Sequence, residues 1–177
     1  VFIIFLSAIL YSYFFQKKRK KLRELETPPF ERAIKELKLL ESENPILQLE
    51  FKNYYSRLTN VVRRYIEEEV KLDAMESTSE QLIIKLQLRV DSGSLELDKE
   101  ILKNLKSVLQ NADLVKFAKS TPQHGIANTD CKIVESVVLK TQEALPEPTE
   151  EELLKQEAYI EALSKKRKKE QFIWSIS

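Results

Sequence analysis

Few residues in this chain could act as nucleophile, base or metal ligand, and they are scattered. His124 is the single histidine, beside Gly125, and Cys131 is the single cysteine, seven positions on. A zinc centre needs three or four N, S or O ligands held together. One histidine with one soft companion does not supply that set, so no metal and no other cofactor is expected. A Cys131–His124 nucleophilic pair would need a third group to orient the base, and nothing in the chain suggests one. A structural cysteine on a helix is the plainer reading.

Glu67, Glu68 and Glu69 invite comparison with a carboxylate site. Three successive residues point in different directions round a helix, which reads better as a solvated helix end. Two glycines could scarcely build a phosphate-cradling Walker A loop or a GxGxxG turn, and neither motif is present. The chain is therefore expected to be non-enzymatic. A hydrolase with an unrecognised site would need a pocket with converging polar groups.

Arginines offer a different chemistry. Arg57, Arg63 and Arg64 lie inside one long periodic stretch, Leu47 to Val70. One of Arg63 and Arg64 is expected to pair with Glu67 or Glu68 at helical spacing. The three together read as a basic outward face and as the candidate partner-binding surface. Asp113 and Lys116 flank Leu114 and Val115, and are expected to pack near Tyr54, Tyr55 or Arg57. Plain core packing, with a buried tyrosine hydroxyl satisfied, accounts for that placement.

The elements that position these residues are helical. Glycine is scarce, and Leu, Lys and Glu dominate, the good helix formers. Apolar residues at 47, 51, 54/55, 58, 61/62, 65/66 and 70 alternate by threes and fours, which puts one stripe on a helix of about six turns. Before it, Thr27-Pro28-Pro29 caps and starts a helix to about Ser42, stopped at Asn44-Pro45. After it, Ser77/Glu80 and Thr78/Gln81 are overlapping capping boxes for a short helix bearing Leu82, Ile83 and Leu86. Asp98 caps a helix with Ile101, Leu102, Leu105, Val108, Leu109 and Ala112. Residues 112–121 either extend it or fold back over the core through Leu114, Val115 and Phe117. Thr129 or Asp130 caps a last core helix ending near Ala144.

Charge is divided unevenly. The run KKRKK occurs twice, at Lys17, Lys18, Arg19, Lys20, Lys21 and at Lys165, Lys166, Arg167, Lys168, Lys169. Between them, from Leu22 to Ser164, 19 Lys/Arg face 27 Asp/Glu, a balance of −8. Each run abuts an apolar end. Val1 to Phe15 carries no charge and closes on Tyr11, Tyr13, Phe14 and Phe15, as an aromatic belt would. Residues 171–177 turn apolar around Trp174. Positive charge after the apolar stretch argues against a signal peptide, and the acidic middle would repel nucleic-acid phosphate.

The reading is an all-α chain, a piece of a longer protein. Residues 1–16 are a transmembrane helix cut at its N-terminus, and 17–27 a basic juxtamembrane linker. Residues 28–144 form a cytoplasmic helical bundle of about five helices around the long central one. Residues 145–170 are a proline linker and polar helix ending in the second basic run, and 171–177 open a possible second transmembrane helix. The basic runs are the membrane-flanking residues, and the positive-inside rule puts them, and so the domain, in the cytoplasm. A lone cysteine fits a reducing compartment.

Two stretches, YYSRLTNVVRRYIE from Tyr54 to Glu67 and ADLVKFAKSTP from Ala112 to Pro122, resemble the cytoplasmic part of a family of uncharacterised bacterial inner-membrane proteins. So do the Met75-Glu76-Ser77-Thr78 link and PEPTEEELLKQEAY before a basic run. These proteins are encoded beside MoxR-type ATPases and von Willebrand factor A proteins in Bacteroides aerotolerance-type operons. The likeness spans most of Phe30 to Lys169; residues 87–97 and 123–130 depart from the pattern. It implies a Bacteroidota-like source, attachment to the lipid bilayer and a role near that ATPase system, where a protein partner is expected; no small-molecule substrate is evident from the residues. The family has no established catalytic or binding residues to carry over. A second reading is a transmembrane signalling domain that relays a conformational change through the 145–170 helix.

Overall fold

The computed structural model describes residues 27–43, 45, 47–123, 125–146, 153–154, 158–165 and 168. They are all-helical, and residues 29–146 form one compact unit. Helix α1 spans Pro29–Glu41, α2 Gln48–Tyr65, α3 Ser79–Asp91, α4 Lys99–Phe117 and α5 Ile126–Ala144, with a π-helical turn, Ile66–Val70, continuing α2.

Each helix end has a local cause. Proline opens α1, where its missing N–H is no loss. The Glu50 carboxylate reaches back to the Leu47 N–H at 2.9 Å and satisfies a donor at the start of α2. The widened turn after Tyr65 stops at Lys71, which is left-handed at φ 57° and gives the chain its exit. Thr78 and Gln81 form a reciprocal capping box on α3, at 3.2 and 3.0 Å. Ser77 does not form the second expected box; its hydroxyl donates to the Asp73 carbonyl. Asp98 Oδ1 accepts from the Glu100 N–H at 2.9 Å to start α4. Helix α5 begins at Ile126, earlier than expected, because Gly125 takes φ 86° and turns the chain into it. Thr129 and Asp130 therefore lie inside the helix, not at its cap.

Helix α2 packs against α1, α4 and α5; α1 also packs on α5, and α3 packs on α4. Contacts fix the directions. Arg32 meets Glu68 and Arg57 meets Glu43, so α1 runs antiparallel to α2. Lys116 of α4 meets Thr59 of α2. Tyr54 meets Ala127 and Tyr65 meets Gln142, so α5 runs parallel. The stripe on α2 is the middle of the core: Tyr55, Leu58 and Val62 have no exposed surface, and Phe51, Tyr54, Val61, Tyr65, Ile66 and Val70 are buried. Leu47 is not part of it. At 64% exposed it precedes the first helical residue and escapes cover.

Residues 112–117 extend α4. Ala112 and Val115 face the core; Leu114 is 54% and Phe117 80% exposed, so these two do not fold back over the stripe. Leu95 and Leu97, in the turn between α3 and α4, are buried there.

No helix among the described residues is long and apolar enough to cross a membrane. The expected transmembrane segments, 1–16 and 171–177, lie outside the described residues, as do Lys17, Lys18, Arg19, Lys20, Lys21, Lys166, Arg167 and Lys169. Positions 153–154, 158–165 and 168 are helical, and Lys165 pairs with Glu161 at 2.7 Å.

Candidate functional site

The three arginines of α2 do not share one outward face. Arg57 is exposed and holds Glu43 of the α1–α2 link at 2.6 and 2.9 Å. Arg64 is half-exposed, 3.4 Å from Glu36 of α1. Arg63 points inward. It is 9% exposed and donates to the Ala74 carbonyl at 2.7 Å, the Ser77 carbonyl at 2.5 Å and Ser79 Oγ at 3.1 Å. Its planar fork pins the 71–78 segment against α2. Burial holds its pKa below the usual arginine value, opposed by the Asp113 charge. Neither Arg63 nor Arg64 pairs with Glu67 or Glu68 as helical spacing suggests. The π turn rotates those carboxylates away: Glu68 pairs with Arg32, and Glu67 accepts from the Met75 N–H at 2.8 Å.

Glu67, Glu68 and Glu69 are consequently half-buried parts of the turn instead of a solvated end. Burial raises the Glu69 pKa; Lys71 and Arg32 pull it down, and Glu68 pushes it up. Arg32, Glu36, Arg64 and Glu68 line a shallow cleft between α1 and α2, with Tyr65 at its floor. Its free space is about 10 Å³, the room of about one water molecule. A substrate does not fit, and the four charges there oppose one another in pairs.

The most concentrated polar cluster is internal. Tyr55 Oη donates to Asp130 Oδ2 at 2.6 Å, and Asn111 Nδ2 donates to the same oxygen at 3.2 Å. Tyr54 Oη donates to the Ala127 carbonyl at 3.0 Å, and the two tyrosine rings meet edge to face, centroids 5.7 Å apart. Asp130 is 4% exposed, and burial raises its pKa while the Tyr55 and Asn111 bonds lower it. The cluster ties α2, α4 and α5 at one level. Its tyrosines and its carboxylate are buried between those helices and satisfied within the cluster, as in a fold-specifying network. Sequence reasoning anticipated a satisfied tyrosine hydroxyl but not its partner. As sequence, Asp130 is one of two candidate caps with Thr129, and only its inward register on α5, at the 3–4 spacing with Ala127, Val134 and Val137, flags it as a core group.

Cys131 is buried, and its thiol donates to the Leu37 carbonyl at 3.5 Å. Burial pushes its pKa up to about 11, against a smaller downward pull from Tyr54. Such a thiol is a poor nucleophile at neutral pH. His124 lies outside the described residues. Lys116 reaches Thr59 Oγ1 and pairs with Asp113, each at 3.5 Å, so this pair meets α2 one turn beyond Tyr55. Lys85 and Ser77 sit 2.9 Å apart, an arrangement that suggests a Ser–Lys pair. Here Lys85 donates to the hydroxyl, lies 3.9 Å from Asp73 and stays 38% exposed. A base would accept the serine proton, whereas Ser77 gives its own to a backbone carbonyl. Among the described residues no group of His, Cys, Asp or Glu is placed to hold a metal ion.

Comparison with protein-family models, with curated proteins and with solved structures finds no match to this chain.

Proposed function

We propose that the chain is a non-enzymatic, membrane-anchored interaction module of a bacterial cell-envelope system. Its 28–144 domain would be a cytoplasmic helical bundle around α2, working beside a MoxR-type ATPase and von Willebrand factor A proteins. The observation that supports this reading best is where the domain begins and ends. Pro29 lies beside Tyr65, and Tyr65 Oη donates to Gln142 at 3.1 Å, so both ends of the domain meet at the far end of α2. Two apolar segments leaving from one place can enter one bilayer without straining the domain. The basic runs at Lys17–Lys21 and Lys165–Lys169 would then sit at the headgroups. Arg57 and Arg64 remain the arginines available to a protein partner, and Arg63 belongs to the fold.

Co-purification from membranes tests the module reading. The full chain, extracted in mild detergent, is expected to bring down the MoxR-type ATPase, and Arg57→Glu with Arg64→Glu to weaken that capture. If the ATPase never co-purifies, and the chain leaves the membrane in an alkaline carbonate wash, the reading fails on both counts.

A further inference from the structure

One helix carries an outward row that neither the core nor the reading above uses. Lys99, Lys103, Lys106, Gln110, Leu114 and Phe117 of α4 are spaced by fours and threes. At 3.6 residues per turn they fall within a sector of about 80°, along a line of about 27 Å. All six are outside the core, Leu114 at 54% and Phe117 at 80% exposed. The row is basic in its first half and apolar in its second.

Its charges are also uncommitted. Arg32, Arg57, Arg64, Lys116 and Lys132 each have a carboxylate partner. Lys99, Lys103 and Lys106 have none among the described residues. Lys119, two residues past the helix, is exposed and likewise has no partner among the described residues. Of the nearby acids, Asp113 is held by Lys116 at 3.5 Å and Asp98 caps the helix, which leaves Glu96 and Glu100 exposed at the start of the row.

We propose that this face of α4 docks the domain onto an anionic lipid surface, with Phe117 and Leu114 entering the headgroup boundary and the three lysines lying over lipid phosphates. Charge complementarity selects the occupant. Lysines near such a surface are drawn to its anionic headgroups, and an exposed aromatic between Lys116 and Lys119 suits the interface, where the ring is buried and the ammonium groups stay wet. Docking here is separate from attachment through the flanking segments.

A tryptophan reporter reads it directly. Trp174 is the only tryptophan, so the full chain is made as Phe117→Trp in a Trp174→Phe background. It is mixed with vesicles of phosphatidylcholine alone, or of phosphatidylcholine with phosphatidylglycerol, each with and without brominated acyl chains. Quenching on the phosphatidylglycerol vesicles is expected. It should be lost on phosphatidylcholine alone, in high salt, and in the Lys99→Glu, Lys103→Glu, Lys106→Glu variant. Circular dichroism should show that variant folded, since all three positions are exposed. Absence of quenching on phosphatidylglycerol overturns the proposal and leaves the row to a protein partner. Quenching that survives charge reversal overturns it too. Retention of the chain on vesicles after alkaline wash reports the flanking segments separately, so the two attachments fail independently.

Discussion

Tyr55 and Asp130, 75 positions apart, share a 2.6 Å hydrogen bond in the interior, with Asn111 on the same carboxylate oxygen. The bond joins α2 to α5 and, through Asn111, to α4. Because burial raises the Asp130 pKa, the folded state takes up its proton at higher pH than the unfolded chain, whose aspartates titrate near about 3.9. The contribution of Asp130 to stability is therefore greatest in acid and declines as pH rises through the raised folded value. Asp130→Asn removes this titration. Denaturant midpoints at about pH 7 and about pH 4.5 should show wild type gaining on Asp130→Asn as the solution is acidified. A constant difference between the two proteins would remove the role of burial at this site.

Arg63 is a structural arginine, and its replacement should be costly. Arg63→Ala leaves the Ala74 and Ser77 carbonyls without their donor in a buried place. A loss of about 2–4 kcal/mol is expected. Arg63→Lys should recover little, since a point charge cannot serve three acceptors in one plane. Arg57→Ala, at an exposed ion pair, should cost less than about 1 kcal/mol. Equal losses for Arg57→Ala and Arg63→Ala in urea unfolding would contradict this division.

Cys131 should behave as a core residue. With its thiol buried and its pKa pushed up to about 11, a disulfide reagent at neutral pH should find no reactive cysteine until denaturant is added. Prompt reaction of the folded chain would mean that α5 opens locally. Tyr54→Phe, which removes the bond to the Ala127 carbonyl and the hydroxyl's interaction with Cys131, should cost about 1 kcal/mol.

Leu58 and Leu49 lie on the same helix, one fully buried and the other 67% exposed. Leu58→Ala should lose about 2–5 kcal/mol through the cavity it leaves, and Leu49→Ala within about 0.5 kcal/mol. Thermal melts of the two variants check the position of the core stripe.

The sequence was most legible where one periodicity ran long. From Phe51 to Val70 each expected apolar position is buried, because a three-sided packing needs a broad stripe and nothing else in the chain supplies one. The Thr78/Gln81 cap was also readable, since that chemistry is local. What could not be read depended on tertiary contacts. Periodicity does not say that a π turn will rotate Glu67 and Glu68 toward Met75 and Arg32, or that a kinked exit will draw Arg63 inward. Phe117 looked like a core residue by type; its spacing from Lys103, Lys106 and Gln110 put it on the outer row. Asp130 resembled a cap until Gly125 was seen to start α5 earlier.

The proposed topology is tested most directly by labelling one exposed position in cells. Asn60 is exposed on α2 and Cys131 is buried, so Asn60→Cys gives a single accessible thiol in the folded domain. Membrane-anchored chain should stay with the membranes through an alkaline wash. Position 60 should be protected from a membrane-impermeant maleimide in intact cells and labelled once the membranes are opened. Labelling in intact cells to the same extent as after lysis would place the domain on the other side, and release by the wash would remove the anchor.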